Sequence, residues 1–487
     1  MLVLLLQMKN NLDNLDNQDN LDEIKKVVCE AQQPPLLSDE EYIEIVETAG
    51  VLIHDMIQGE PMMYAHPSFE DVVQYDTTEL LTHQLQPLFN FNIDDYVDIA
   101  VLEAVKIYHT NICPRRSYDP TFIRVNPNIH KMETKIHYLE NVPQPDQRTN
   151  EWYYFRHKYL TASSIWKAFG SQSSQNELIY NKCQPIDVEK YKVVNTESPM
   201  HWGQKYEDVS IDWYNKTYKT SVSEFGCIPH RNIPYLAASP DGINTDKTSN
   251  LYGRMVEVKN IVNREITGIP KLEYWIQMQL QMEVCELDEC DFLETRFIEY
   301  ENEKMFRADG NFRETEGGKP KGVVMCFNNG GKPLYEYLPF GATEGEYDEW
   351  ECEMMKKHSH LTWVRNDYWY LDQVSNVLVL RNKMWFEHAE KLLSALWKTI
   401  EYEKEHGYEH RAPNRRKKPS LGLAGPSKCL INLANTEVSQ QTNVPVNNVP
   451  VNNAPVNNAP VNNAPVNNVP VNNALLSGDI SVVTDVS

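Results

Sequence analysis

Between Arg254 and Asn260 the chain reads RMVEVKN, and this short run constrains the fold more than any other. Valines favour strands, and alternation along a strand sends Val256 and Val258 to one face and Glu257 and Lys259 to the other. A buried strand with an acid and a base on one face must find partners for both, because an unpaired buried charge is costly. Upstream, IPYLAAS is a second apolar run that ends at Pro240-Asp241-Gly242, a strong turn signal. The two runs are expected to form a hairpin or a closely adjacent pair. The valines then go to the core, the charged pair faces a cleft, and Asp241 points into the same cleft.

Two carboxylates and an ammonium converging on one point suit a divalent metal with a water to activate. Oxygen donors fit Mg²⁺, and the lysine helps to position or deprotonate the attacking water. The metal also removes the like-charge penalty between neighbouring carboxylates. A bare E-x-K in a strand is more often an edge pair, so the flanking segments matter. HWGQKYEDVSIDWYNKTY has a helical period that presents Glu207. In KLEYWIQMQLQMEVCEL, Tyr274, Gln277 and Gln281 fall at i, i+3 and i+7 on one helix face, with Gln279 on another side. Further upstream, Arg156 lies seven residues before Ser163, and an arginine fork with a small hydroxyl is a natural phosphate receptor.

Charge is distributed in keeping with this. The 487 residues carry −23, which opposes a phosphate partner overall, but residues 1–147 hold −16 of it while residues 148–280 carry +2. Nine cysteines, scattered and without a CxxC pair, argue against a disulfide framework or a zinc site and for an intracellular, reducing compartment. No run approaches membrane-spanning length. Residues 1–37 are low-complexity. Residues 38–112 read as an acidic helical region capped by Ser38, and 113–147 as a proline-punctuated connector. Residues 148–410 read as one α/β domain that closes with a strand, YWYLDQVSNVLVL, and a long helix ending at Gly407. Residues 411–487 hold a basic cluster, Arg411 to Lys418, and six copies of (V/A)PVNN. A proline in each unit excludes helix and central strand, so this tail is expected to be a disordered tether.

Taken in order, RHKYLTASS, GQKYED, ASPDG, VEVKN and YWIQMQLQM resemble the YqaJ-like viral recombinase family, the lambda-type alkaline exonucleases of the PD-(D/E)xK nuclease superfamily. The resemblance covers residues 148–300 and extends toward 410. It implies an α/β fold with a restriction-endonuclease-like core, a mixed β-sheet flanked by helices. It implies metal-binding acids at Glu207, Asp241 and Glu257, a further ligand in the backbone carbonyl of Val258, a catalytic lysine at Lys259 and a nearby glutamine at Gln277, with Gln279 leaving the register open. Arg156, Ser163 and Ser239 match a pocket for a terminal 5′ phosphate. The implied activity is a Mg²⁺-dependent (Mn²⁺ as substitute) 5′ to 3′ exonuclease on double-stranded DNA ends in recombination or repair. The implied partners are a single-strand annealing protein and further copies of the chain in a trimer, with no membrane; the implied place is the host cytoplasm, a viral factory or the virion. The acidic N-terminal region, the insertion after residue 300 and the repeat tail depart from the compact phage enzyme and put the ring trimer in doubt. An endonuclease or junction resolvase of the same superfamily, and an idle DNA-binding or virion structural protein, are the competing readings.

Overall fold

The structure, a computed structural model, describes residues 37–122, 129–188, 195–196 and 198–413. The low-complexity start and the repeat tail lie outside the described residues. The helices are α1 (Asp39–Gly59), α2 (Phe69–Leu85), α3 (Asp94–Asn111), α4 (Ile129–Asn141), α5 (Asn150–His157), α6 (Ala162–Ile165), α7 (Gln172–Cys183), α8 (Pro199–Tyr218), α9 (Leu272–Cys285), α10 (Glu303–Ala308), α11 (Glu344–Lys357) and α12 (Lys383–His406). The strands are β1 (Leu160–Thr161), β2 (Val222–Ser223), β3 (Ile228–Pro229), β4 (Leu236–Ala238), β5 (Gly242–Asn244), β6 (Met255–Asn260), β7 (Glu289–Glu299), β8 (Lys321–Asn329), β9 (Lys332–Tyr337) and β10 (Thr362–Leu380). No described helix is long and apolar enough to cross a membrane.

The fold is mixed α/β. Seven strands form one sheet in the order β2-β5-β6-β7-β10-β8-β9, and β1, β4 and β3 form a small second sheet. Only β6 and β7 run parallel in the large sheet, joined by the crossover helix α9. This corrects the expected strand pairing: IPYLAAS ends in β4 of the small sheet, and the partner of RMVEVKN is β5, which begins at Gly242 of the proline-aspartate-glycine turn. The close approach of β2 explains that glycine, since a β-carbon on Gly242 would run into Val222 Cγ1. The expected connector also holds α4, an amphipathic helix that buries Ile136 and Leu139.

Ser38 caps α1 in a capping box with Glu41. The N-terminal helices and the crossover helix share one apolar core. Tyr64 stacks on Trp275 of α9 at 6.2 Å, and Trp275 meets Trp385 of α12 edge-on at 5.2 Å. The back of the central strands is tied by a buried charge network. Arg254 bonds Glu289 at 2.9 Å and Asp291 at 3.3 Å, and donates to the carbonyls of Pro120 and Phe122. Tyr214 of α8 donates to the other Asp291 oxygen at 2.7 Å. Of the basic cluster, Arg411 is engaged by Glu403 and Asn176, and residues 414–418 lie outside the described residues.

Replacing Arg254 leaves two acids without their counter-ion, one of them with no exposed surface. Arg254→Met is expected to destabilise the protein by about 3 to 5 kcal/mol in denaturant unfolding. A midpoint equal to the wild type's would show that the network is not what holds β6 to β7.

Candidate active site

The alternation read from RMVEVKN is present, and its two faces meet different partners. Val256 and Val258 pack with Tyr214 of α8 and Leu293 of β7. Glu257, on the other face, does not open on a cleft. It has no exposed surface, because α9 lies over it. Its Oε1 accepts from Gln277 Nε2 at 2.7 Å and from Lys259 Nζ, and its Oε2 accepts from Gln281 Nε2 at 2.7 Å. Gln281 also reaches the carbonyl of Ser239 at 3.2 Å, so it bridges β6 to the turn that carries Asp241. Gln279 points the opposite way, onto the backbone of Leu380 and Asn382, which fixes the register of the QMQLQ run.

Asp241 sits at the start of β5, and its Oδ2 accepts from the Val258 N–H at 2.8 Å. Burial first, then the charges of Glu257 and Glu207, push its carboxyl well above the ordinary aspartate range. Burial alone would lower the Lys259 ammonium, but Glu257 and Asp241 outweigh it and hold it above the usual lysine value. The same ammonium lies 5.2 Å from the centre of the Tyr274 ring. Glu207, presented by α8, is pushed up to about 7, by burial first and by Asp208 and Glu257, against the pull of Arg148 and Lys259. Glu207, Asp241, Lys259, Asn260, Arg264 and Tyr274 line one open groove of about 650 Å³.

The side chain of Asn260, the last residue of VEVKN, sets the height of α8 against β6. It donates to the Gly203 carbonyl at 2.7 Å and accepts from Ser210 at 2.7 Å and Thr295 at 2.6 Å. Gly203 and Ser210 stand one turn to either side of Glu207, so this link aims that carboxylate. Gln281 lies on the helix face that the sequence reading assigns to Tyr274 and Gln277, where a buried glutamine needs a polar partner, and Glu257 is that partner. Asn260 carries no role in the sequence reading and gives no signal beyond its place in the motif.

The second cluster lies beyond Ser239. Arg156 donates to Ser163 at 2.9 Å and stacks on Trp152 at 4.1 Å. Ser163 lies in the four-residue helix α6, which Thr161 precedes. The buried Ser239 hydroxyl faces the Cys227 thiol, and that thiol, raised by burial, also feels the charges of Arg156 and Lys182. Lys182, missed in the sequence, donates to the Arg156 carbonyl at 3.0 Å and anchors the end of α5. All nine candidate residues thus belong to two adjoining clusters, with Ser239 and Asp241 two residues apart.

Part of the chain is similar to known proteins. Residues 151–288 match the YqaJ-like viral recombinase domain. An uncharacterized protein of Acanthamoeba polyphaga mimivirus is 29% identical over 360 residues, 65% of this chain and 62% of that protein, so the match spans less than two thirds of the relative. An alkaline exonuclease from Laribacter hongkongensis is 19% identical, with 53% of this chain and 95% of that one covered at a TM-score of 0.32, and its complex with dAMP gives the same values. The YqaJ-like segment contains every candidate residue, from Arg156 to Gln277.

The donors fit a hard divalent cation in chemistry. They are all oxygen, and mutual repulsion of three carboxyl groups is what such an ion relieves. They do not form a ready cage: among the described residues no group of three or more His, Cys, Asp or Glu side chains is gathered to hold an ion. Lys259 and the two glutamines take up Glu257, and the Val258 N–H takes one oxygen of Asp241.

Glu207 holds its proton more tightly in the folded chain than in the unfolded one. Its contribution to stability is therefore complete below about pH 4.5 and is lost as pH rises through about 7. In metal-free protein, Glu207→Gln is expected to gain on the wild type as pH rises from about 5 to about 8, by at most about 3 kcal/mol. Unfolding curves for the two proteins that stay parallel across that range would contradict the assigned environment.

Proposed function

We propose that the protein is a divalent-metal-dependent deoxyribonuclease, a 5′ to 3′ exonuclease acting on double-stranded DNA ends in recombination or repair. The observation that carries the reading is the convergence of Glu207, Asp241 and Lys259 on one groove above a Glu257 locked by two glutamines, beside the Arg156–Ser163 pair. The match of residues 151–288 to the YqaJ-like domain supports a nuclease, and the alkaline exonuclease named above is a nuclease by its own description.

Glu207, Asp241, Glu257 and the Val258 carbonyl would hold Mg²⁺ or Mn²⁺. Such an ion supplies Lewis-acid polarisation of a phosphate oxygen and a bound water of lowered pKa. Lys259 stays protonated beside two carboxylates, which favours donation to a phosphate oxygen as charge develops over removal of a proton from water. Gln277 and Gln281 keep Glu257 from turning, and Tyr274 confines the ammonium from its other side. Arg156 and Ser163 offer a fork and a hydroxyl to a terminal phosphate, and Lys182 holds the backbone from which Arg156 projects.

Digestion of end-labelled linear duplex beside covalently closed circular duplex, with and without Mg²⁺, tests the reading. The wild type is expected to consume linear DNA alone and only with the metal. Lys259→Ala and Asp241→Ala are expected to lose about 10² to 10³ of the rate or more while keeping their far-UV spectrum. Cleavage of the closed circle would replace the exonuclease with an endonuclease, and a fully active Lys259→Ala would remove the proposed site. Arg156→Ala is expected to erase any preference for 5′-phosphorylated over 5′-hydroxyl ends. A preference that survives in that variant places the phosphate pocket elsewhere.

A further inference from the structure

Two grooves meet at Glu207. One is the candidate site. The other, of about 1080 Å³, continues past Glu207 and is lined by Arg148, Tyr153, Phe225, Lys332, Tyr335 and Tyr337, with Asp146, Asp208 and Glu224 also on its wall. Arg148 stands at the junction. Its guanidinium lies 3.6 Å from the Glu207 carboxylate, and its side chain is 49% exposed.

The backbone that places it there is strained. Arg148 has a φ of +64°, in the left-handed region. Among the described residues, two other non-glycine residues share that region, Lys219 and Glu286. Both close helices, α8 and α9, where a left-handed residue is common. Arg148 closes no helix. It is the third residue of the turn Asp146–Thr149, in which the Thr149 N–H donates to the Asp146 carbonyl at 3.4 Å, and positive φ at that position is ordinarily glycine's. The turn is pinned on both sides: Gln147 donates to the Phe225 carbonyl at 3.2 Å, and Thr149 caps α5. Glycine would fill this position without steric cost, so the side chain has to serve something that glycine cannot.

The ion pair with Glu207 is a weak reason to keep it. It is single, longer than a hydrogen bond and half exposed, and pairs of that kind contribute little. A phosphodiester offers the fork two charge-assisted hydrogen bonds instead. The groove needs such a charge, because Arg148 and Lys332 are the lysine and arginine on a wall that also bears Asp146, Asp208 and Glu224. Aromatic rings beside a basic contact are the usual platform for unpaired bases.

We propose that Arg148 is a further catalytic residue, one that leaves Glu207 to bind a backbone phosphate of the DNA strand where the aromatic groove enters the candidate site. This rests on the nuclease reading above. The strand crossing that junction has its bases toward Tyr153, Tyr335 and Tyr337 and its phosphate on Arg148.

The test uses the full chain with Arg148→Gln, Arg148→Gly and Arg148→Lys. Binding of a 5′-phosphorylated duplex with a short unpaired end is measured in Ca²⁺ across a salt series, digestion is measured in Mg²⁺, and thermal midpoints are measured without metal. Arg148→Gln and Arg148→Gly are expected to bind roughly tenfold or more weakly, with the salt slope reduced by about 0.7 to 0.9, and kcat/KM is expected to fall at least as far. Arg148→Lys is expected to keep the slope and recover part of the affinity. Arg148→Gly, relieved of the strained φ, is expected to melt no earlier than the wild type. Unchanged slope and kcat/KM in both Arg148→Gln and Arg148→Gly overturn the proposal, and so does an Arg148→Gly that melts earlier while binding normally, which makes the arginine a structural counter-ion of Glu207. A wild type that neither binds nor digests the duplex overturns the nuclease reading and this proposal together.

Discussion

Glu257 is a carboxylate without water. With no exposed surface it must be neutralised and hydrogen-bonded at once, and Lys259, Gln277 and Gln281 do both. Each of those partners then brings a structural obligation. Lys259 must leave the strand on the same face as Glu257, which fixes the alternation of β6. The glutamines must project from successive turns of one helix face, which fixes the rotation of α9 over the sheet. Gln281 must also reach the Ser239 carbonyl, which draws the Asp241 turn to the end of β6. One buried charge therefore coordinates a strand, a helix and a loop.

The rest of the fold braces that arrangement. On the far face of β6, valines meet Tyr214 of α8, and the same tyrosine joins the Arg254–Asp291 network that binds β6 to β7. Asn260 sets α8 along the strand so that Glu207 faces the groove. Behind α9, Trp275 is held between Tyr64 and Trp385, so the N-terminal helices and the closing helix support the helix that carries the glutamines. A polar network in such surroundings is rigid because each member is packed as well as bonded.

Several elements were readable from local pattern. The Ser38 cap, the alternation of β6, the common face of Tyr274, Gln277 and Gln281, and the last helix with its Gly407 end are properties of neighbouring residues, and each is present in the fold. The strand paired with RMVEVKN was misread, because a turn signal marks where a chain bends and not which sheet each arm enters. The helix in the connector was missed because prolines on either side hid its period. The helix period separates Gln279 from Gln277 without saying which of the two faces turns to β6. The direction of α9 against the backbone of Leu380 and Asn382 distinguishes them.

By itself the sequence determined which residues are candidates for the chemistry, since carboxylates, a lysine and glutamines at strand and helix periods are fixed by covalent order. Tertiary structure alone decided which of them face the groove. Burial under α9 turned Glu257 from a cleft residue into the buried anchor of the site, and proximity in low dielectric raised Glu207 and Asp241 while keeping Lys259 charged. Arg148 belongs wholly to the second category. Its partner is distant in sequence, and its meaning rests on a backbone angle and a charge across a groove, neither of which any local pattern records.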